Sequence, residues 1–435
     1  MNKCLPILLA TALFLTVQPP QSDSQVLHTD TVDIARYSGA VGDGIVDDTA
    51  KVQKALTTCS NHGLTCVIPS NKSFLITKQL YLWGEGSLIG VDSTSMLLLR
   101  TGHVPYILNI GISGAQKLEQ KWSGSIEHVT FRGVGPGTGR IIFLWRSEGG
   151  TISKNVFNIG AFGYGPTSSG NNNKVVRNGD GNCIRKNITI TDNMIFAEGT
   201  DVIGSEGIGL NQWDGAEIAR NVVHGVGDDM IGVHFSSNIN IHDNDLSGVD
   251  GRLFVSNSHH VMIENNKISR VASPSTGLWY PGIALLYIGH EGDRTNKERA
   301  PTSITARGNT LIYNEGAVDR GAAIYIYSPR DVTIANNQVI NNSSTVSAVG
   351  IHLLPFPFSK GVIWTDPDGL DPPTVSRVHG VTISNNNLSG GAYHLPLIET
   401  GFHCTHYSGL VKITDNTASR YSFICGPETN SNLVR

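Results

Sequence analysis

The sequence is poor in several residue types. Its 435 residues include six cysteines, five methionines and six tryptophans. It has no C-x-x-C pair and no H-E-x-x-H, so the usual zinc spacings are missing. Charge of either sign is sparse: 32 Lys and Arg stand against 36 Asp and Glu, a formal net charge of −4. That balance excludes nucleic acid and an anionic membrane surface as expected partners. No internal run is apolar enough to cross a bilayer. One long apolar run exists, from Leu5 to Val17 in "MNKCLPILLATALFLTVQPP", behind a single lysine. It is too short to span a membrane and reads as the core of a signal peptide, here placed at 1–24. The mature chain is then secreted, to the extracellular space or a periplasm. Cys4 precedes the apolar run, which argues against a lipoprotein cysteine.

Export permits disulfides. Cys59 and Cys66 flank a tight loop in "CSNHGLTC", and Cys404 and Cys425 lie 21 residues apart. Both pairs are expected to be bridged, with Cys183 left as a buried thiol.

Glycine is plentiful at 49 residues, and asparagine recurs with a period. "NITITDN", "AEIARN", "NINIHDN", "HVMIENN", "SITARGN", "DVTIANN", "GVTISNN" and "LVKITDN" share one form. Two β-branched or apolar residues lie two apart, and an asparagine follows three residues after the second. These asparagines are Asn193, Asn221, Asn244, Asn266, Asn309, Asn337, Asn386 and Asn416. The cleanest spacings are 23 and 22 residues. Period-two alternation means strands. A turn residue after each strand, at one repeat per coil, means strands stacked in parallel rungs. The asparagine is expected at the bend, where it tolerates the left-handed conformation. Stacked in register, these side chains can also bond to one another.

A second strand set precedes the first: 207–212, 230–235, 252–257, 282–287, 323–328 and 350–355. Its inward pairs read as Ile208/Leu210, Ile231/Val233, Leu253/Val255, Ile283/Leu285, Ile324/Ile326 and Ile351/Leu353, with the alternate residues outward. The fold class is all-β, a right-handed single-stranded parallel β-helix. It occupies 25–435 as one domain, with an N-terminal cap over about 32–76 that includes an α-helix.

Two adjacent Asp pairs compete for attention. Asp47 and Asp48 open "DDTAKVQKALTTC", a helix start with Asp48 placed as N-cap. Val52, Ala55 and Leu56 make its apolar stripe, suited to covering the open end of a coil. "YSGAVGDGIVDDTAKVQKAL" followed by "CVIPSNKSFLI" closely resembles the N-terminal cap of the pectate-lyase-like superfamily of parallel β-helices. With the downstream repeats the resemblance covers about 32–425. It implies the β-helix fold and a polysaccharide-related role shared among lyases, polygalacturonase-like hydrolases, uronan epimerases and phage tailspikes.

The second pair, Asp228 and Asp229, precedes the strand "MIGVH". Superposing "SEGIGLN", "DDMIGVH" and "DGRLFVS" by their inward pairs places Ser205, Asp228 and Asp250 in one slot. Glu206, Asp229 and Gly251 share the next, and Asn211, His234 and Ser256 the strand end. Arg252 and Phe254 project outward. Rungs stack about 4.8 Å apart, so Glu206, Asp228, Asp229 and Asp250 gather on one face. Crowded like charges concentrate at functional sites. A glycosidase needs such a set, one acid protonated and one ionised, separated by roughly 6.5–9.5 Å when the enzyme inverts. An isolated "GDD" also suits a turn.

"GDDMIGVH" further resembles the "GDD" strand of polygalacturonase-like hydrolases. That resemblance implies acid and base roles for Asp228 and Asp229, with Glu206 nearest the family's further Asp. Asp250 stands where that family has a histidine, and its Arg-Lys signature has no counterpart here. Polygalacturonic acid is therefore not the expected substrate.

Asn211, His234, Arg252, Tyr325, Tyr327 and His352 are candidate substrate-binding residues, with Trp279 and Tyr280 nearby, since aromatic surfaces suit the apolar faces of sugars. Insertions at 163–183, 289–301 and 355–373 are candidate cleft walls. No cofactor is required, although clustered carboxylates can take Ca²⁺. The expected partner of the monomer is a polysaccharide or oligosaccharide. Three readings compete: a glycoside hydrolase, a polysaccharide lyase or uronan epimerase, and a non-catalytic glycan-binding β-helix.

Overall fold

The computed structural model describes residues 30–434 except 101–105, 114–117, 134–138, 159–162, 168–184, 197–205, 249–250, 272–283, 290–300, 318–321, 328, 345–348, 355–379, 390–396, 401–410, 418–419 and 424–432. The expected signal peptide, Cys183, Cys404, Cys425, Asp250, Trp279, Tyr280 and most of the three insertions lie outside the described residues. Among the described residues, no helix is long and apolar enough to cross a membrane.

Among the described residues, three parallel sheets wind around one apolar core, with 14, 12 and 12 strands. A full rung contributes one strand to each. One rung runs from Asp229–His234 through Ser237–His242 to Asp245–Gly248. The strand before the ladder asparagine forms the first sheet, and the strand after it forms the second. The earlier set of the sequence reading forms the third. The second-sheet strand carries a simple signal: the residue two positions after each ladder asparagine is apolar. Ile195, Val223, Leu246, Ile268, Leu311, Val339 and Leu388 occupy these positions, and all are buried.

The asparagines do stack, but they do not make the bend. The left-handed residue is the one before each: Asp192, Arg220, Asp243, Asn265, Gly308, Asn336, Asn385 and Asp415. This placement turns the ladder side chain inward. Asn221 Nδ2 donates to Asn244 Oδ1 at 3.0 Å and to the Ile190 carbonyl at 2.8 Å. The same Asn244 Oδ1 accepts the Asn221 backbone N–H at 2.9 Å. The pattern continues unbroken from Asn155 to Asn416.

Asn155 starts the ladder one rung earlier than the sequence pattern suggested. Its rung was hidden because Gly150 stands where an apolar residue was expected. A Cβ at Gly150 would lie 2.1 Å from the Trp122 ring, which fills that part of the core. Gly150→Ala is expected to destabilise the protein by about 1–3 kcal/mol through overpacking, read as a shift of the urea midpoint.

Helices α1 (Ile34–Ser38) and α2 (Thr49–His62) close the N-terminal end. Val52, Ala55, Leu56 and Cys59 of α2 are fully buried, and Cys59 is bridged to Cys66. Asp48 occupies the N-cap place, but its carboxylate makes no cap bond. It turns back to accept from Val41 N at 2.9 Å and Gly42 N at 2.8 Å. Gly42 has a φ of 65°, and its loop needs those acceptors more than the helix does. Asp47 takes the Thr49 N–H instead, at 3.0 Å. Burial alone would raise the Asp47 carboxyl, but hydrogen bonds from Thr49 and Thr77 hold it below its ordinary value. Both aspartates brace the cap.

Candidate functional site

The second Asp pair lies where the third sheet begins a strand. Its rung pairs with the next through Asp229↔Arg252 and Ile231↔Leu253, with a β-bulge between. Simple alternation from Ile231 would send Asp229 inward. The bulge reverses this, because an extra residue re-aims its neighbours. Met230 is buried in the core, and Asp229 meets Arg252.

Arg252 ties the site together. Its Nε donates to Asp229 Oδ1 at 2.7 Å and its Nη2 to Asp228 Oδ1 at 3.4 Å. Its guanidinium also lies 4.4 Å from the centre of the Phe254 ring, a cation–π contact of about 0.5–2 kcal/mol. His234 approaches from the other end of the strand, Asp229–His234. Its Nε2 is 3.7 Å from Asp229 Oδ2, and its Nδ1 is 2.9 Å from Ser256 Oγ. Gly232 lies between the two groups. A Cβ there would sit 3.1 Å from both Asp229 Oδ2 and His234 Nε2. The missing side chain lets carboxylate and imidazole lean toward each other. The Asp229 side chain is 7% exposed, whereas that of Asp228 is 38% exposed. Asp229 is thus enclosed while Asp228 faces outward.

Glu206 precedes Gly207, whose N–H donates to the Asp229 carbonyl at 2.9 Å. Asn211 is the register partner of His234. The structure thus brings Asp228, Asp229, His234 and Arg252 together, with Glu206 and Asn211 on the adjoining rung. Among the described residues, no three or more His, Cys, Asp or Glu side chains gather as a metal site.

Tyr325, Tyr327 and His352 lie farther along the same outer face. The register column runs Gly209, Gly232, Phe254, Tyr287, Tyr325, His352. Tyr325 is three rungs from Gly232, about 14 Å at the spacing of stacked strands. The rings stack on one another: Phe254 on Tyr287 at 4.5 Å and Tyr287 on Tyr325 at 5.5 Å. His352 meets Tyr325 edge-on at 5.3 Å, and Tyr327 is tilted at 6.2 Å. Burial raises the Tyr325 hydroxyl above its ordinary value.

Tyr287 was missed in the sequence, which put the inward pair of its rung at Ile283/Leu285. The register partners of Leu253 and Val255 are Leu286 and Ile288, three residues later. That shift turns Tyr287 outward. The available signal was the match of "ALLYI" to "AAIYI" in the next rung. The sequence reading also assigned no role to the Ser256 hydroxyl that meets His234 or to the space at Gly232 between Asp229 and His234.

The model of the right-handed β-helix region matches residues 173–355. No curated protein matches the chain. Among solved structures, the A-module of the mannuronan C-5 epimerase AlgE6 from Azotobacter vinelandii superposes with a TM-score of 0.63 at 15% identity, covering 92% of this chain and 98% of that one. The catalytic unit of a thermostable GH87 α-1,3-glucanase from Streptomyces thermodiastaticus gives 0.58 at 14% identity, covering 93% and 67%. PfbA, a surface adhesin of Streptococcus pneumoniae, gives 0.51 at 15% identity, covering 90% and 92%. At such identities the likeness is one of fold: this chain is a right-handed parallel β-helix, similar to glycan-active enzymes and to adhesins alike.

Proposed function

We propose that the chain is a secreted glycoside hydrolase acting on an uncharged glycan. The observation that carries this reading is the Asp228–Asp229–Arg252 cluster, held on the outer face by the bulge. Asp229, with Arg252 at 2.7 Å, is assigned as the ionised group that activates water. Asp228, more exposed and more loosely held, is assigned as proton donor to the leaving oxygen. Asn211 and Glu206 flank the sugar on the adjoining rung, and His234 braces Asp229.

With Asp228 holding the proton it donates, Asp229 and Glu206 still stand against one guanidinium, so the described residues of the site carry a net negative charge. That balance repels a uronate chain and disfavours the second reading, a lyase or epimerase. The second reading draws on the convergence of Arg252 and His234, a cation and a base. It needs the Arg252 charge for the substrate carboxylate, and that charge is already shared by two aspartates.

The test is digestion of neutral polysaccharides and uronans in parallel, with and without EDTA. New reducing ends from a neutral polymer, insensitive to EDTA, are the expected result. An unsaturated, ultraviolet-absorbing product from a uronan would establish a lyase instead. Binding of a glycan without any cleavage would establish the adhesin-like reading. Gly232→Ala is expected to lower turnover about tenfold while the fold persists, because a methyl group there presses Asp229 and His234 apart.

A further inference from the structure

The outer face of the third sheet has an uneven profile along its central register column. From the N-terminal side it reads Asn109, Phe143, Thr167, Gly209, Gly232, Phe254, Tyr287, Tyr325, His352. Two successive positions, at the rungs of the acids, carry no side chain. Aromatic groups stand on both sides of them. On the N-terminal side Phe143 packs edge-on against Trp145 at 4.9 Å, and Trp145 Nε1 donates to Asn109 Oδ1 at 3.0 Å. On the C-terminal side Phe254 begins the ring stack. Four rung steps separate Phe143 from Phe254, about 19 Å at the spacing of stacked strands.

The same short pattern occupies the two low rungs: an acid, then Gly, then a polar strand end. It is Glu206, Gly209, Asn211 in one and Asp229, Gly232, His234 in the next. Because each glycine lacks a Cβ, the polar groups on either side of it can lean toward each other along the strand, as Asp229 and His234 do. The two positions without a side chain and the acids therefore fall on the same two rungs.

We propose that this glycine step is a closed subsite for a short, uncharged stretch of glycan, so that the protein acts on chain ends or short oligosaccharides and not within long chains. The proposal rests on the hydrolase reading for its chemistry and adds the length limit. A side chain at Gly209 fills the step. Phe254 closes one end, and its ring is fixed between Arg252 and Tyr287. The Phe143–Trp145 pair closes the other.

The test combines binding and product analysis on the full chain. Affinity for neutral oligosaccharides of increasing length, measured by calorimetry, is expected to rise and then level off within a few sugar units. Digestion of a neutral polymer is expected to release small products while viscosity falls slowly. Gly209→Phe is expected to weaken oligosaccharide binding at least tenfold, with a wild-type circular dichroism spectrum. Should that variant not fold, the length profile of the wild type decides alone. Affinity that keeps rising with length, or a rapid fall in viscosity, overturns the proposal while leaving the hydrolase reading intact. Failure of every neutral oligosaccharide to bind overturns it as well. Length-limited binding with full turnover in Asp228→Asn would leave the subsite standing and remove the hydrolase assignment.

Discussion

Asp228→Asn is expected to lower turnover by about 10²–10⁴, the range for loss of a positioned acid or base, while melting stays near that of the wild type. The side chain is 38% exposed and its contact with Arg252 is long, at 3.4 Å. An ion pair this long and this exposed contributes little to stability. Asp229→Asn is expected to lose turnover to a similar degree and also to destabilise the protein. Asp229 is enclosed, and its 2.7 Å bond is the shorter of the two that it and Asp228 make to the largely buried Arg252 guanidinium. Removing one member of an enclosed pair leaves the other poorly compensated, here at about 1–3 kcal/mol because the amide oxygen can still accept. The two variants should therefore agree in activity and part in stability. Full turnover in both would remove the assignment of the site.

Asn244→Ala carries the largest expected loss of stability. Asn244 Oδ1 accepts from Asn221 N and Asn221 Nδ2 at 2.9 and 3.0 Å. Its Nδ2 donates to the Ile218 carbonyl at 2.9 Å and to Asn266 Oδ1 at 2.8 Å. All these groups are buried, and alanine replaces none of the bonds. Each buried polar group left without a partner costs about 1–3 kcal/mol, so a total of about 4 kcal/mol is expected by urea denaturation. Asn416 closes the series and is only partly buried, so Asn416→Ala should cost about 1 kcal/mol by the same reasoning. Equal losses at the two positions would mean that the ladder is not what secures the rungs.

The fold was legible because a stacked coil repeats its constraints. Every rung must bury the same apolar positions and satisfy the same turn, so the text repeats at one period. What escaped was local. The bend falls one residue before each ladder asparagine, since the buried amide must point inward and only its neighbour can take the left-handed turn. Asp48 looked like an N-cap, and the loop at Val41 and Gly42 claims its carboxylate. Rung alignment gathered Glu206, Asp228, Asp229 and Asp250 on one face and set Asp229 beside Gly251. The structure brings Asp228 and Asp229 together with Arg252, pairs Asp229 with Arg252 in place of Gly251, and leaves Asp250 outside the described residues. Alternation could not foresee the bulge at Met230, which decides that Asp229 meets Arg252. Nor could it set the register after residues 271–283, which separate Arg270 from Ala284 and carry no ladder asparagine, and so Tyr287 was turned the wrong way.

The most direct measurement is the appearance of reducing ends when wild-type protein and Asp228→Asn are incubated with the same neutral polysaccharide at matched concentration. Steady release by the wild type, falling at least a hundredfold in a variant of unchanged melting temperature, is the predicted result. Equal release by both proteins, or an unsaturated product in place of reducing sugar, would contradict it.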